Sequence, residues 1–574
     1  MQTGNTIVKV NKLHLKHFNF TFFLWIICVG LLIYLIVSPI GYMIYESFTG
    51  VDGAFTLEHY YNSFSNPRIV EAVYNTLIVS AGVAILSIIC GVPLAFGVSR
   101  TNMPGKNMVK IAVFISIITP SFLLSMAYIV LAGPNAGYAN RLLRFLFNLS
   151  TDYGPLNIYT LLGLIVLSVP GGVSYVFLQA SPAFENMDPS LEESARSSGA
   201  SQWQMVKDIT LPLAKPAILS GALLSFSITL AMYGIPHMLN MNYLTIAIRK
   251  ALLLGLDFKT TSTLSVVVVF MSITALMLYR MTIRSVKVYQ TVSGKGFRPR
   301  VIQLKKGRYV FLAVGIFYSV FAFLLPYSTL ILVSLFKNVG EGLKWSNLTL
   351  RNYPYALSLP LARVGFANST WLSTCSATIV VFISIVVGYI VIRSNIRGKG
   401  LLDYLSILPL GIAGTALAAG LILIYLGPLS FIPIYATLWI LMVGYVTRFI
   451  PIGMRNIQTS LMQVSSELEE VARITGANWG QTVRDITIPI IKNGILCAWI
   501  LVFVRTFSEL SVSILLRNVG TDVVSTAILD MWDGSERMPT AMAFGVVLFL
   551  FVTIIILIAQ KITGSSITER VGGI

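Results

Sequence analysis

The chain has 574 residues, of which 55% are apolar and only 11% charged, against about 25% charged in ordinary soluble domains. That composition excludes a soluble globular protein, a disordered chain, a collagen and a disulfide scaffold, and leaves a polytopic membrane protein. The net charge of +18 raises nucleic acid as a partner until the placement of the charge is examined.

A spanning helix needs about 20 apolar residues. Nearly charge-free stretches occur at 20–44, 76–99, 111–131, 158–178, 216–233 and 261–279. A second set follows at 309–336, 364–392, 404–425, 428–447, 493–504 and 538–560. The expected fold is all-α, with twelve transmembrane helices. The stretch 20–44 is too long for the apolar part of a signal peptide and reads as a retained helix. Cys28, Cys90, Cys375 and Cys497 lie in or beside apolar runs and read as buried thiols with no disulfide or zinc framework.

Lys and Arg orient the chain. With the N-terminus in the cytoplasm, the segments on that side hold 28 of the 41 basic and 11 of the 23 acidic residues, and the outer segments hold 12 of each. Both termini are therefore expected in the cytoplasm. Segment 280–308 carries nine basic residues and no acid. It reads as a topology anchor beside anionic lipid, and nucleic acid is not expected as a partner.

Residues 191–219 and 468–496 match at 16 of 29 positions without a gap, at an offset of 277. Upstream, Thr56, Leu57, Tyr60, Asn75 and Arg100 recur as Thr349, Leu350, Tyr353, Asn368 and Arg393 at an offset of 293. The first half thus holds 16 extra residues, expected in the long loop 132–157. Each half has an even number of spans, so the halves enter the membrane in the same sense, a parallel duplication about an axis along the membrane normal. The expected domains are 1–290 and 291–574, six spans each, joined by the basic segment.

Both repeated segments lie between the fourth and fifth spans of their halves, and both are longer than a connector requires. Leu191, Glu192, Ala195 and Arg196 fall at helical spacing, and Gly199 stops the helix. A short helix near 191–203, and another near 468–480, offers a rigid knob to a cytoplasmic partner. The pattern Glu-x-Ala-x3-Gly-x9-Ile-x-Leu-Pro falls on Glu193, Ala195, Gly199, Ile209, Leu211 and Pro212. It falls again on Glu470, Ala472, Gly476, Ile486, Ile488 and Pro489, with Ile488 in place of leucine. The middle alanine of the pattern is Ser194 in one copy and Val471 in the other.

This pattern resembles the EAA motif of ABC importer permeases. The fused double length is similar to the permeases of the ferric iron, thiamine and phosphonate importers, as are Tyr233–Pro236 and Ser508–Ser513. The resemblance implies that each motif is a coupling helix docking into an ATPase subunit. It implies two copies of a cytoplasmic ABC ATPase, an extracytoplasmic substrate-binding protein, and a multi-pass place in the bacterial inner or plasma membrane. ATP and magnesium would be used by the partner ATPase. Ferric iron is the first cargo it suggests, with phosphonate, thiamine, polyamine and sugar phosphate as alternatives.

No Gly-x4-Gly-Lys-Ser/Thr loop occurs, so this chain is not expected to hydrolyse ATP. It shows no HExxH, paired CxxC or nucleophile elbow either, and no catalytic residue, bound cofactor or metal site is expected. His14 and His17, beside Lys12 and Lys16, read as part of a basic anchor. The other reading of the fold is an ion-coupled secondary transporter, which often has charges within its spans. Only Arg505, with Glu509 four residues on, qualifies. The pair is expected on one helix face, either bracing the helix end or lining the pathway.

Overall fold

The computed structural model describes residues 10–50, 52–149, 153–289 and 301–563. The expected boundary at 290/291, the middle of the basic segment and both chain termini fall outside these residues, as do the side chains of His14 and His17. Among the described residues, ten helices are long and apolar enough to cross a membrane. They are Thr21–Ser47, Pro67–Arg100, Leu161–Glu185, Gln202–Leu230 and Phe258–Thr282, then Arg308–Ser334, Pro360–Arg393, Leu438–Met462, Gly480–Phe507 and Met538–Ile562. Two bent pairs, Lys106–Ile118 with Ser121–Ala132 and Lys399–Gly411 with Gly414–Leu426, make the total twelve when each counts as one crossing. The spans are numbered in chain order, the bent pairs being the third and ninth.

The bends replace straight helices expected at 111–131 and 404–425. They measure 107° and 109°. In the third span Pro120 has no N–H to donate and disfavours helix at the residue before it. Thr119 is accordingly extended, at ψ 129°. In the ninth, Pro409 and Gly411 lead into extended Ile412 (ψ 124°) and Ala413 (ψ 137°). The tenth span is displaced from 428–447. Gly427, Pro428 and Pro433 keep 427–437 in turns, and the helix starts after Thr437, whose hydroxyl accepts from Trp439 N at 3.2 Å. It then runs on through Arg448 and Arg455, beyond the end of the apolar run at 447.

Four single π turns, Ile33–Val37, Val206–Thr210, Val320–Leu324 and Val483–Thr487, each end two residues before a proline. The prolines are Pro39, Pro212, Pro326 and Pro489. In an α ladder the proline ring clashes with the carbonyl four residues back; the wider turn relieves that clash and the helix continues. The device sits in the first and fifth spans of each half.

Other ties repeat as well. Asn75 Nδ2 donates to Asn242 O at 2.9 Å, and Asn368 Nδ2 to Asp522 O at 2.9 Å. The Thr76 hydroxyl accepts from Leu244 N at 3.0 Å, and the Ser369 hydroxyl from Val524 N at 2.9 Å. Each pins the segment after the fifth span of its half to the second. The extra residues of the first half lie between the third and fourth spans, where 133–160 carry the helix Tyr138–Phe147. Residues 427–437, in the matching place, have none.

The first spans are exchanged between halves. The first span packs on the ninth and tenth: the Tyr34 and Tyr425 hydroxyls meet at 2.5 Å, and the Thr447 hydroxyl donates to Leu35 O at 3.3 Å. Gly420 makes the close approach possible, since a Cβ there would lie 2.9 Å from Pro39 O. Reciprocally, the seventh span packs on the third and fourth. The Tyr318 hydroxyl meets Ser174 Oγ and Pro170 O at 3.1 Å each, and the Tyr128 hydroxyl donates to Phe321 O at 2.6 Å.

A paired candidate docking site

The second and eighth spans each have 34 residues, about 51 Å of helix at 1.5 Å per residue. That exceeds the roughly 30 Å hydrocarbon core of a bilayer, so their ends can project. One end of each carries Arg100 or Arg393, at the same end of the bundle as the repeated motifs. The strand-like pairing of Ile302 with Arg100 and Asn102 (Ile302 N to Arg100 O, 2.7 Å) fixes the far side of the basic segment there too.

The first motif helix, Pro189–Ser197, starts with the Asp188 carboxylate accepting from Ser190 N at 2.9 Å and with Pro189 in the first turn. It stops at Gly199, whose φ of +87° is open to glycine at little cost. Ala200 N closes the end on Ala195 O at 3.0 Å. The second, Ser466–Ile474, ends in the same way: Gly476 has φ +97° and Ala477 N donates to Ala472 O at 3.0 Å. A one-turn helix follows each. Ser201 and Gln204 cap the first reciprocally, at 2.8 and 3.3 Å, and Asn478 and Gln481 cap the second, at 2.8 and 2.9 Å.

The two motif helices are bolted to the bundle by the same chemistry. Glu192 is buried and forms an ion pair with fully buried Arg100; the Thr210 hydroxyl donates to its Oε1 at 3.1 Å. Glu469 is buried and pairs with Arg393 Nε at 3.3 Å; the Thr487 hydroxyl donates to Oε1 at 3.0 Å and the Tyr389 hydroxyl to Oε2 at 3.1 Å. Each carboxylate therefore joins three elements: the end of one span, the motif helix, and the start of the next span. A buried ion pair with its remaining lone pairs satisfied resists separation, because removing either partner strands a charge.

With Glu192 and Glu469 turned inward, Glu193 and Glu470 are exposed. Ala195 is half-buried and Ala472 buried, on the bundle side. Ile209 and Ile486 sit half-buried in the π turns, and Leu211-Pro212 and Ile488-Pro489 begin the long α-helical parts of the fifth and eleventh spans after those turns. Around the two glutamates lie exposed apolar groups: Leu191 and Trp203 in the first copy, Leu468, Val471 and Ile474 in the second.

Arg505 and Glu509 lie elsewhere and are not paired with each other. The eleventh span ends at Phe507, so Glu509 is past the helix, and its Oε2 meets Arg448 Nε at 3.3 Å. A spacing of four puts two residues on one face only within a continuous helix, and this helix stops short of Ser508. The anchoring residues Arg100, Arg393, Glu192, Glu469, Thr210, Thr487 and Tyr389 were not singled out as a site by sequence. All but Tyr389 are in the repeats, but the arginines repeat at one offset and the glutamates and threonines at another, which hides their partnership.

A sequence model of the family described as "binding-protein-dependent transport system inner membrane component" matches residues 84–288 and 380–568. The chain is 27% identical over 507 residues to a ferric transport system permease protein FbpB of Actinobacillus pleuropneumoniae, covering 87% of this chain and 72% of that one. It is 26% identical to a putative ferric transport system permease protein FbpB 1 of Haemophilus influenzae, over 87% of this chain and 78% of the relative. The sulfate transport system permease protein CysT of Escherichia coli is 26% identical over 30% of this chain and 60% of its own length. Two matched segments, one in each half and each containing an anchored motif helix, leave one assignment: the chain belongs to the family of binding-protein-dependent transport system inner membrane components.

Proposed function

We propose that this chain is the permease of an ATP-driven importer whose cargo is ferric iron. The observation that carries the coupling role is the doubled motif helix, held in the same way in both halves and presenting Glu193 or Glu470 outward. Two copies of a cytoplasmic ABC ATPase would each take one helix, and ATP and magnesium would be used there. Closing the ATPases would move the two helices. Because Glu192 and Glu469 tie those helices to spans, the spans would move with them, opening the seam between the halves alternately to either side. In this reading the motif end and both chain termini face the cytoplasm, and a substrate-binding protein docks on the opposite end. The halves act as domains 1–290 and 291–574.

Ferric iron is favoured by the ferric transport permeases that match 87% of this chain. The test is reconstitution with the partner ATPase and binding protein in proteoliposomes. ATP-dependent uptake of radiolabelled Fe(III) is expected, and it should be lost when Glu193→Lys and Glu470→Lys are combined. Uptake of thiamine, a polyamine or a sugar phosphate in place of iron would overturn the cargo. Uptake driven by an ion gradient without the ATPase would overturn the mechanism.

A further inference from the structure

A charged side chain within a bilayer is costly and faces the bundle interior or a water-filled space. Arg448 lies about 15 Å along the tenth span from Leu438. Its neighbours Thr447 and Phe449 are buried, while its own side chain keeps 21% exposure. Its guanidinium reaches the bend of the ninth span, where Nη1 donates to Ile412 O at 3.4 Å. Gly414 leaves room for it: a Cβ there would lie 2.8 Å from Nη1. Glu509, buried, holds Nε at 3.3 Å and is itself fixed by Val512 N, which donates to Oε1 at 3.0 Å. Half-buried Arg505 is in the last turn of the span that leads to Glu509. On this stretch and just past the bend, the Thr506, Ser508 and Thr415 hydroxyls are enclosed without a hydrogen-bond partner in the protein.

This cluster borders the seam between the halves. Gly411, in the same bend, rests against Leu276 of the sixth span, and Leu410 packs in a cluster with Leu276 and Ile228 of the first half. The first half does not repeat these charges at the matching positions. At the repeat offset of 277, Arg448, Arg505 and Glu509 are matched by Gly171, Ile228 and Met232. A Cβ on Gly171 would meet nothing within 4 Å, and the bend at Thr119 is closed by the neutral hydroxyl of Tyr327. Arg448 and Glu509 therefore sit beside the seam on one side only, with Arg505 on the helix that leads to them.

We propose that Arg448, held at the bend by Glu509, is a cargo-contact site, and that it takes an anionic oxygen ligand, phosphate or carboxylate, travelling with the metal. This rests on the importer reading and adds the chemical form of the cargo to it. A guanidinium has five N–H donors, and the two contacts of Arg448 are long and use two of them. The fork geometry of arginine fits carboxylate and phosphate oxygens. An uncompensated cation would meet net positive charge here, whereas a hard metal ion enclosed by oxygen ligands brings the anion with it.

The test uses the reconstituted importer with Fe(III) supplied as its phosphate complex in one arm and its citrate complex in the other. Arg448→Gln should still fold, with a lower melting temperature because buried Glu509 loses its ion pair, and raise the KM for uptake about tenfold or more, the loss expected for one hydrogen bond to a charged group. Arg448→Lys should fall between. The exchange Arg448→Glu with Glu509→Arg should fold and not recover uptake. The arm with the larger loss identifies the anion. A wild-type KM in Arg448→Gln, or recovery by the exchange, would make the pair a brace and overturn the proposal. A second measurement needs no transport. Ser508→Cys, with the four native cysteines changed to serine, should react with a water-soluble sulfonate thiol reagent, and inorganic phosphate or citrate should slow the reaction. A folded protein that does not react overturns the site whatever the uptake. Protection by phosphate without any ATP-driven uptake keeps the site and sinks the importer reading instead.

Discussion

Glu192 and Glu193 are adjacent and have opposite fates, one buried on Arg100 and one exposed. The same division separates Glu469 from Glu470. Replacing Arg393 by alanine would leave Glu469 buried without its charge partner, a loss of about 3–5 kcal/mol for a pair of this kind. Arg393→Ala should still reach the membrane but melt at lower temperature and retain less ATPase on co-purification. Glu469→Gln, whose single amide oxygen can still accept one of the Thr487 and Tyr389 hydroxyls, should be milder than Glu469→Ala; equal effects would deny those bonds a part. At Gly476 a Cβ meets nothing within 4 Å, so only the positive φ opposes substitution. That costs about 1–2 kcal/mol for an L-residue. Gly476→Val, read by iron uptake, should be impaired and Gly476→Asn nearly normal. The motif glycines and outward glutamates were legible because their chemistry is local. The ion pairs were not, because their partners come from distant spans.

At the scale of elements, the two motif helices share an anchor but not an outer face. Val471 and Ile474 are 58% and 84% exposed, whereas the matching residues of the first helix are Ser194 and Ser197. On the importer reading, two identical ATPase subunits would therefore meet a more apolar helix face in the second half than in the first, where Leu191 and Trp203 are the exposed apolar groups. Burying an isoleucine contributes about 1.5–3 kcal/mol. Ile474→Asp should weaken ATPase binding by roughly tenfold or more, and Ser197→Asp much less, as measured by titration of the ATPase onto the permease in nanodiscs. Equal losses would indicate equivalent docking. Twelve apolar stretches were readable as helices because bilayer thickness imposes their length. The bends at Thr119 and Ile412 were not, since apolar composition says nothing of direction. The tenth span was misplaced for the converse reason. Its lower half, with Arg448 and Arg455, is shielded by other helices and has no need to be apolar.

For the molecule as a whole, orientation follows from where single cysteines react. Phe145→Cys and Val519→Cys, at positions 83% and 96% exposed, should be labelled by an impermeant reagent from outside the cell. Ile474→Cys and Lys305→Cys should be labelled only after the membrane is opened. Labelling of Lys305→Cys in intact cells would reverse the topology and with it the coupling argument. The exchange of first spans has a further consequence, for synthesis on the ribosome. The seat of the first span, around Tyr425 and Thr447, is made nearly 400 residues after Tyr34, a delay of roughly 20–80 s at 5–20 residues per second. During that interval the nascent first helix has only the sixth span of its own half, tied to it by the Lys259–Glu46 ion pair, as a packing partner. A polypeptide truncated before the ninth span leaves it only partly seated, and membrane proteases should clear such fragments faster than the finished protein. Joining both halves in one message ensures that each early helix finds its seat on the same chain.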